Sequence, residues 1–292
     1  MTCETESFET ETGHSLQRYW FTPTAKPIGG LIMVHGLGDH LGRYRHVAEL
    51  FCKRGFLCVG VDLPGHGHSS GARGHVPSFE MIGDLLDRDC LLLRGRLPEG
   101  APLGLFAHSM GGLVALDYLP RRIGLFEFAW ISSPLIDPSE RQPQLLVKFS
   151  QQIGPWLPWL SLGTGVRSEW LHHGDPKTGV VEKDPLMHSR VSASFGAELL
   201  QKGASLPKMV EKLDGKLRLL MTHGSADHIC SPQASRQMFE LLPVSRKAFI
   251  TVEDSLHEPL HDRQAEWLMS KVELWLNELG FPSLESQDST TL

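Results

Sequence analysis

The chain has 292 residues, 41% of them hydrophobic, enough for a substantial buried core in one large domain or two small ones. A formal net charge of -6 and a pI near 6.2 provide no basic field for phosphate backbones, so nucleic acid is excluded as an expected partner. No apolar run reaches the roughly 20 residues that span a bilayer.

The first residues, MTCETESFETETGHS, carry four glutamates and no basic side chain before Arg18, the reverse of a secretory leader. A cytoplasmic protein is expected. The five cysteines (Cys3, Cys52, Cys58, Cys90, Cys230) form no closely spaced pairs, and their odd number argues against a disulfide framework. Reduced, buried thiols are the expectation.

From about residue 28 two kinds of segment alternate, as in a mostly parallel sheet covered by helices. GGLIMVHG, FLCVGVD, PLGLFAHS, LFEFAWISS, KLRLLMTHG and RKAFITVED are short apolar runs of buried-strand type. Between the second and third, Phe79, Ile82, Leu86, Cys90 and Leu93 recur at helical steps behind Ser78, a possible N-cap. A later helix, in DRQAEWLMSKVELWLNELG, ends at Gly280. Between residues 137 and 206 the alternation stops, with helices and Gly/Pro breaks but no convincing strand. The expected organisation is an α/β core over residues 1–136 and 207–282, an inserted helical cap over 137–206, and a flexible polar tail over 283–292.

Ser109 falls where the strand LGLFA meets the helix MGGLVALDYL, with Ala107 and Gly111 two residues to either side. A sharp strand-to-helix turn needs small residues there, and it presents the hydroxyl at the carboxyl edge of the sheet, where open α/β folds bind ligands. A serine hydroxyl is a poor nucleophile unless a base and an orienting acid accompany it. Asp227, in HGSADHIC, lies beyond one later strand, and His257, in VEDSLHEPL, beyond the next. The order serine, acid, histidine is that of α/β-hydrolases. Two backbone amides are then expected to hold an oxyanion: Met110, after the nucleophile, and Leu37, after His35 and Gly36 in MVHGLGDH.

Four stretches, HGLGDHLGRY, DLPGHGHSSGARGHV, AHSMGG, and GSADHI with LHE, resemble the monoacylglycerol lipase and lysophospholipase group of α/β-hydrolases over roughly residues 13 to 280. In that group the positions of Asp39 and Ala107 are commonly glutamate and glycine. The resemblance implies a serine esterase acting on single-chain acyl lipids without a cofactor. It also suggests Asp39 and Arg43 as contacts for a polar head group, beside the plainer reading of a salt bridge holding their loop.

Other readings use the same residues. A lone serine before a helix is most often an N-cap, and Asp254, three residues before His257, is a rival acid. The same triad serves thioesterases, peptidases and acyltransferases, and the fold also occurs in small-molecule receptors. Fifteen histidines, three of them in GHGHSSGARGH, raise a metal site, but no HExxH pattern or cysteine pair supports one. In IGPWLPWL, Ile153, Trp156, Leu157, Trp159 and Leu160 crowd into eight residues of the expected cap. They are expected to line the acyl entrance and give transient membrane-surface contact, with core packing the alternative. Oligomeric state is left open.

Overall fold

The computed structural model describes residues 1–137, 160–174 and 183–284. It opens with a hairpin that the sequence reading did not foresee, β1 (Thr2–Glu9) and β2 (Ser15–Thr22), paired antiparallel from Thr2↔Thr22 to Glu9↔Ser15. β1 is an exposed edge strand, so it needs no apolar run, and its glutamates read as charge alone. It is tied down by polar chemistry: Glu6 accepts from the Arg18 guanidinium at 2.8 Å and from Trp20 Nε1 at 3.1 Å, while Phe8 lies 4.1 Å beneath that guanidinium.

The six expected apolar runs each contain a strand: β3 (Gly29–Val34), β4 (Phe56–Val61), β5 (Leu103–His108), β6 (Phe128–Ser132), and, after two short strands described below, β9 (Arg218–Gly224) and β10 (Arg246–Val252). With the hairpin they form one eight-stranded sheet in the order β1-β2-β4-β3-β5-β6-β9-β10. Pairing is parallel from β4 through β10 and antiparallel only at β1–β2 and β2–β4. β3 to β6 are buried throughout, which is why they lack alternation.

Helices cover both faces. On one, α1 (Arg45–Cys52) and the C-terminal α6 (Ala265–Glu278) pack Val47, Phe51, Leu268, Val272 and Trp275 against Phe106, Phe128 and Trp130. On the other lie α2 (Phe79–Arg94), α3 (Met110–Tyr118), α4 (Ala193–Val210) and α5 (Pro232–Leu241), with Ile82, Leu86, Leu113, Phe195, Leu206 and Met238 in a second core. Ser78 caps α2, its side chain accepting from the Met81 N–H at 3.2 Å. Every residue of α3 is buried, as its central place under α4 requires.

Between residues 137 and 206 the reading of no strand is corrected. β7 (Ser161–Gly163) and β8 (Arg190–Ser192) pair antiparallel, Ser161↔Ser192 to Gly163↔Arg190. Three-residue strands with one apolar residue each, Leu162 and Val191, are too short to show an alternating or apolar run, so they carry no sequence pattern. This region is stitched to the core through main-chain hydrogen bonds. The His188 N–H donates to the Gly38 carbonyl and Ser192 N–H to that of Gly74, both at 2.9 Å; Glu258 N–H donates to Leu171 at 2.8 Å and His257 N–H to Trp170 at 3.4 Å. Gly38, at φ 75°, has room for no side chain: a Cβ would stand 1.9 Å from the His188 carbonyl oxygen. α4 runs through residue 206, where the core was expected to resume. Among the described residues no helix is long and apolar enough to cross a membrane.

Candidate active site

The loops after β3, β5, β6, β9 and β10 leave the same carboxyl edge of the sheet, and they carry the polar residues singled out above. Ser109, between β5 and α3, takes φ 53° and ψ −116°, a sparsely populated conformation for a residue with a side chain. Main-chain bonds hold it there: Ser109 N–H donates to Ser132 at 2.9 Å, and its carbonyl accepts from Leu113 at 3.1 Å and Leu135 at 3.0 Å. The small neighbours have a steric reason. A Cβ on Gly111 would meet the Val34 and His35 carbonyl oxygens at 2.5 and 2.8 Å, and Ala107 is fully enclosed.

The Ser109 hydroxyl does not cap α3. Its Oγ lies 2.9 Å from His257 Nε2, while His257 Nδ1 lies 2.7 Å from Asp227 Oδ2. The rival acid is elsewhere: Asp254 is exposed at φ 56°, with its N–H held by Ser225 Oγ at 2.9 Å. Asp227 takes further donors, His223 Nε2 at 2.9 Å on Oδ2 and the N–H groups of Ile229 and Cys230 at 2.7 and 3.0 Å on Oδ1. Burial acts to raise its pKa, but the His257 charge and the two imidazole hydrogen bonds hold the carboxyl well below the ordinary carboxylate range. Burial likewise opposes charge on His257, yet the facing Asp227 and then Cys230 raise the imidazole well above its ordinary value.

Of the two residues expected to donate to an oxyanion, one follows Ser109 directly and the other follows a glycine that approaches it. Met110 opens α3, at the end where helix N–H groups have no intrahelical acceptor, and Leu37 follows Gly36, where an added Cβ would stand 3.2 Å from Ser109 Cβ. His35, named in the sequence only as part of that loop, has a definite task. Its Nε2 accepts from the Leu63 N–H at 3.0 Å, so its proton resides on Nδ1, which donates to the Gly36 carbonyl at 2.7 Å. One buried imidazole thus braces the loop from within.

Asp39 and Arg43 meet each other, 3.0 Å apart, and the geometry favours the salt-bridge reading. Both Asp39 oxygens are taken, Oδ1 by Arg43 and the His40 N–H, Oδ2 by the Tyr44 hydroxyl. Arg43 also clasps Glu258 with two bonds, 2.8 and 2.6 Å. Although burial pushes the Glu258 carboxyl up, Arg43 brings it down to about 2. The network joins the Leu37 loop to the His257 loop. Glu258→Ala is therefore expected to destabilise the fold by about 3 kcal/mol in urea unfolding, because it removes one partner from a buried ion pair. A loss below about 1 kcal/mol would show the pair to be dispensable.

Leu160 is half-buried, and its carbonyl accepts from the Ala193 N–H at 2.9 Å. Ile153, Trp156, Leu157 and Trp159 lie outside the described residues. The sequence reading passed over an apolar cavity of about 350 Å³ beside α4 and α5, lined among others by Leu135, Ile136, Leu199, Ala204 and Met238. Its residues come from three separate segments, so no single stretch announced it. Leu135 connects it to the site through its hydrogen bond to the Ser109 carbonyl.

A mostly parallel sheet with a strained serine turn and these loops at its carboxyl edge defines an α/β-hydrolase. The family described as serine aminopeptidase, S33, matches residues 25–264, and the chain belongs to it. The monoglyceride lipase of Homo sapiens is 28% identical over 267 residues, 89% of this chain and 86% of that protein. The crystal structure of Paleococcus ferrophilus monoacylglycerol lipase has a TM-score of 0.80 at 32% identity, covering 89% of this chain and 98% of that one. An abhydrolase domain-containing protein of Dictyostelium discoideum is 27% identical over 288 residues, and there the chain spans 30% of the relative's length. With these relatives the chain is a carboxylic ester hydrolase.

Proposed function

We propose that the chain hydrolyses carboxylic esters of single-chain acyl lipids, monoacylglycerol or lysophospholipid, through an acyl-serine intermediate. The observation that carries the mechanism is the continuous line Ser109 Oγ, His257 Nε2, His257 Nδ1, Asp227 Oδ2, with contacts of 2.9 and 2.7 Å. Ser109 attacks the ester carbonyl as His257 takes its proton; the imidazolium then returns that proton to the departing alcohol. Asp227 fixes the ring and stabilises its cation. The Leu37 and Met110 N–H groups receive the carbonyl oxygen as it gains charge. Water repeats the sequence to free the fatty acid and regenerate Ser109.

The substrate class rests on the relatives named as lipases and on the apolar cavity, in which we place the acyl chain. Monoacylglycerols, lysophospholipids and simple esters in a chain-length series, compared in wild type and Ser109→Ala, test it. Long-chain substrates are expected to lead, with no turnover in the variant. Turnover confined to short esters or to aminoacyl anilides would overturn the lipid reading, and undiminished turnover in Ser109→Ala the mechanism. Ala204→Trp, which fills the cavity from an exposed position, is expected to lower kcat/KM on long-chain esters alone, by roughly 0.8 kcal/mol for each methylene denied burial. Equal losses on butyrate and long-chain esters would move the acyl site elsewhere.

The pH profile follows from His257. The base works only when neutral, and its pKa is raised, so kcat/KM falls as pH drops through a midpoint above the ordinary histidine value of about 6.5. A midpoint at or below that value would contradict the strong Asp227–His257 coupling.

A further inference from the structure

Cys230 is the one thiol at this site among the described residues. It lies in the loop after β9, fully buried, three residues beyond Asp227, whose Oδ1 accepts from the Cys230 N–H at 3.0 Å. One ligand atom each from Asp227, Cys230 and His257 lies within 4.8 Å of the others. A thiol, an imidazole and a carboxylate so grouped are a donor set for a borderline-soft divalent ion. Tetrahedral zinc holds such atoms about 3.3 to 3.8 Å apart, so closing the set takes a movement of about 1 Å. We propose that Asp227, Cys230 and His257 form an inhibitory site for Zn²⁺, in which the ion occupies the imidazole that hydrolysis needs.

The proposal rests on the function read above, since inhibition follows only if His257 is the base. As the ion binds, the Cys230 S–H bond breaks, the sulfur electron pair forms the S–Zn bond, and the proton leaves to solvent. His257 binds as neutral imidazole through Nδ1, the proton there passing to Nε2 as the ion replaces the hydrogen bond to Asp227 Oδ2, and Asp227 binds as the carboxylate it already is. Water closes the tetrahedron. No electron is transferred, so a chelator reverses the state. Thiol and imidazole must both be free of the proton that the ion replaces, so zinc binding weakens as pH falls. Mg²⁺ and Ca²⁺, which prefer oxygen, are poorly served by this set.

The test uses the whole chain treated with EDTA and then dialysed, which is expected to be fully active. ZnCl₂ is expected to inhibit it and fresh EDTA to restore the rate, while MgCl₂ and CaCl₂ have no effect. With each protein normalised to its own uninhibited rate, Cys230→Ser is expected to need more than about tenfold more zinc for half inhibition. CoCl₂ gives a readout independent of turnover: a thiolate-to-cobalt charge-transfer band in wild type and in Ser109→Ala, absent in Cys230→Ser. Equal zinc sensitivity in Cys230→Ser, or no cobalt band in wild type, would overturn the site. If no ester is turned over while the band appears, the functional reading fails and the metal site stands.

Discussion

Ser109→Ala and His257→Ala are each expected to lower kcat by roughly 10⁴- to 10⁶-fold, and the double variant scarcely further, because nucleophile and base act as one unit. The 2.9 Å contact between Ser109 Oγ and His257 Nε2 is the reason. Without the hydroxyl there is no acyl acceptor, and without the imidazole the hydroxyl keeps its proton. The Met110 and Leu37 amides proposed to hold the oxyanion are untouched in these variants, so some rate above the uncatalysed reaction should remain. Burst kinetics with an activated ester, and labelling by an organophosphonate at Ser109 alone, measure the same dependence. Losses that multiply in the double variant, or labelling elsewhere, would dissolve the unit.

Asp227→Asn is expected to cost on the order of 10⁴ in kcat, with the fold retained. The hydrogen bonds decide how the new amide must sit. Oδ1 accepts from two main-chain N–H groups, Ile229 and Cys230, so the amide oxygen has to stay on that side. Its NH₂ then faces His257 Nδ1 and His223 Nε2, where Oδ2 stood. Against a donor, His257 must leave Nδ1 bare and carry its proton on Nε2, the nitrogen that should receive the proton of Ser109. The variant therefore holds its base in the wrong tautomer. Asp254→Asn, at an exposed side chain, is expected to stay near wild type. The reverse outcome would transfer the acid's role to Asp254.

Sequence alone disclosed whatever repeats a pattern that burial imposes. The doubly buried strands β3 to β6 had to be apolar, and the turn at Ser109 had to be flanked by small residues, so both were legible. β1, β7 and β8 have no such obligation, since edge and surface strands satisfy themselves with main-chain bonds and charges. In the site, Ser109, Asp227 and His257 were legible because each follows a readable strand at the same edge. The supporting residues were present in the same motifs but silent. His35 braces Gly36 only because its other nitrogen accepts from Leu63, 28 positions away, His223 steadies Asp227 from 4 positions away, and Glu258 grips Arg43 across 215. Spacing does not foretell such partnerships; three-dimensional neighbours do.

The stitching of the inserted region sets a mechanical limit on access. Residues 170 and 171 share main-chain bonds with the His257 loop, and residues 188 and 192 with the Gly38 and Gly74 loops. These stretches are part of the chassis: prising them away would break main-chain bonds to the His257 loop and to the Gly38 loop in the same stroke. An ester must therefore enter between posts tied on these two sides to the His257 and Gly38 loops, so that admitting substrate and keeping those loops in register are not opposing demands.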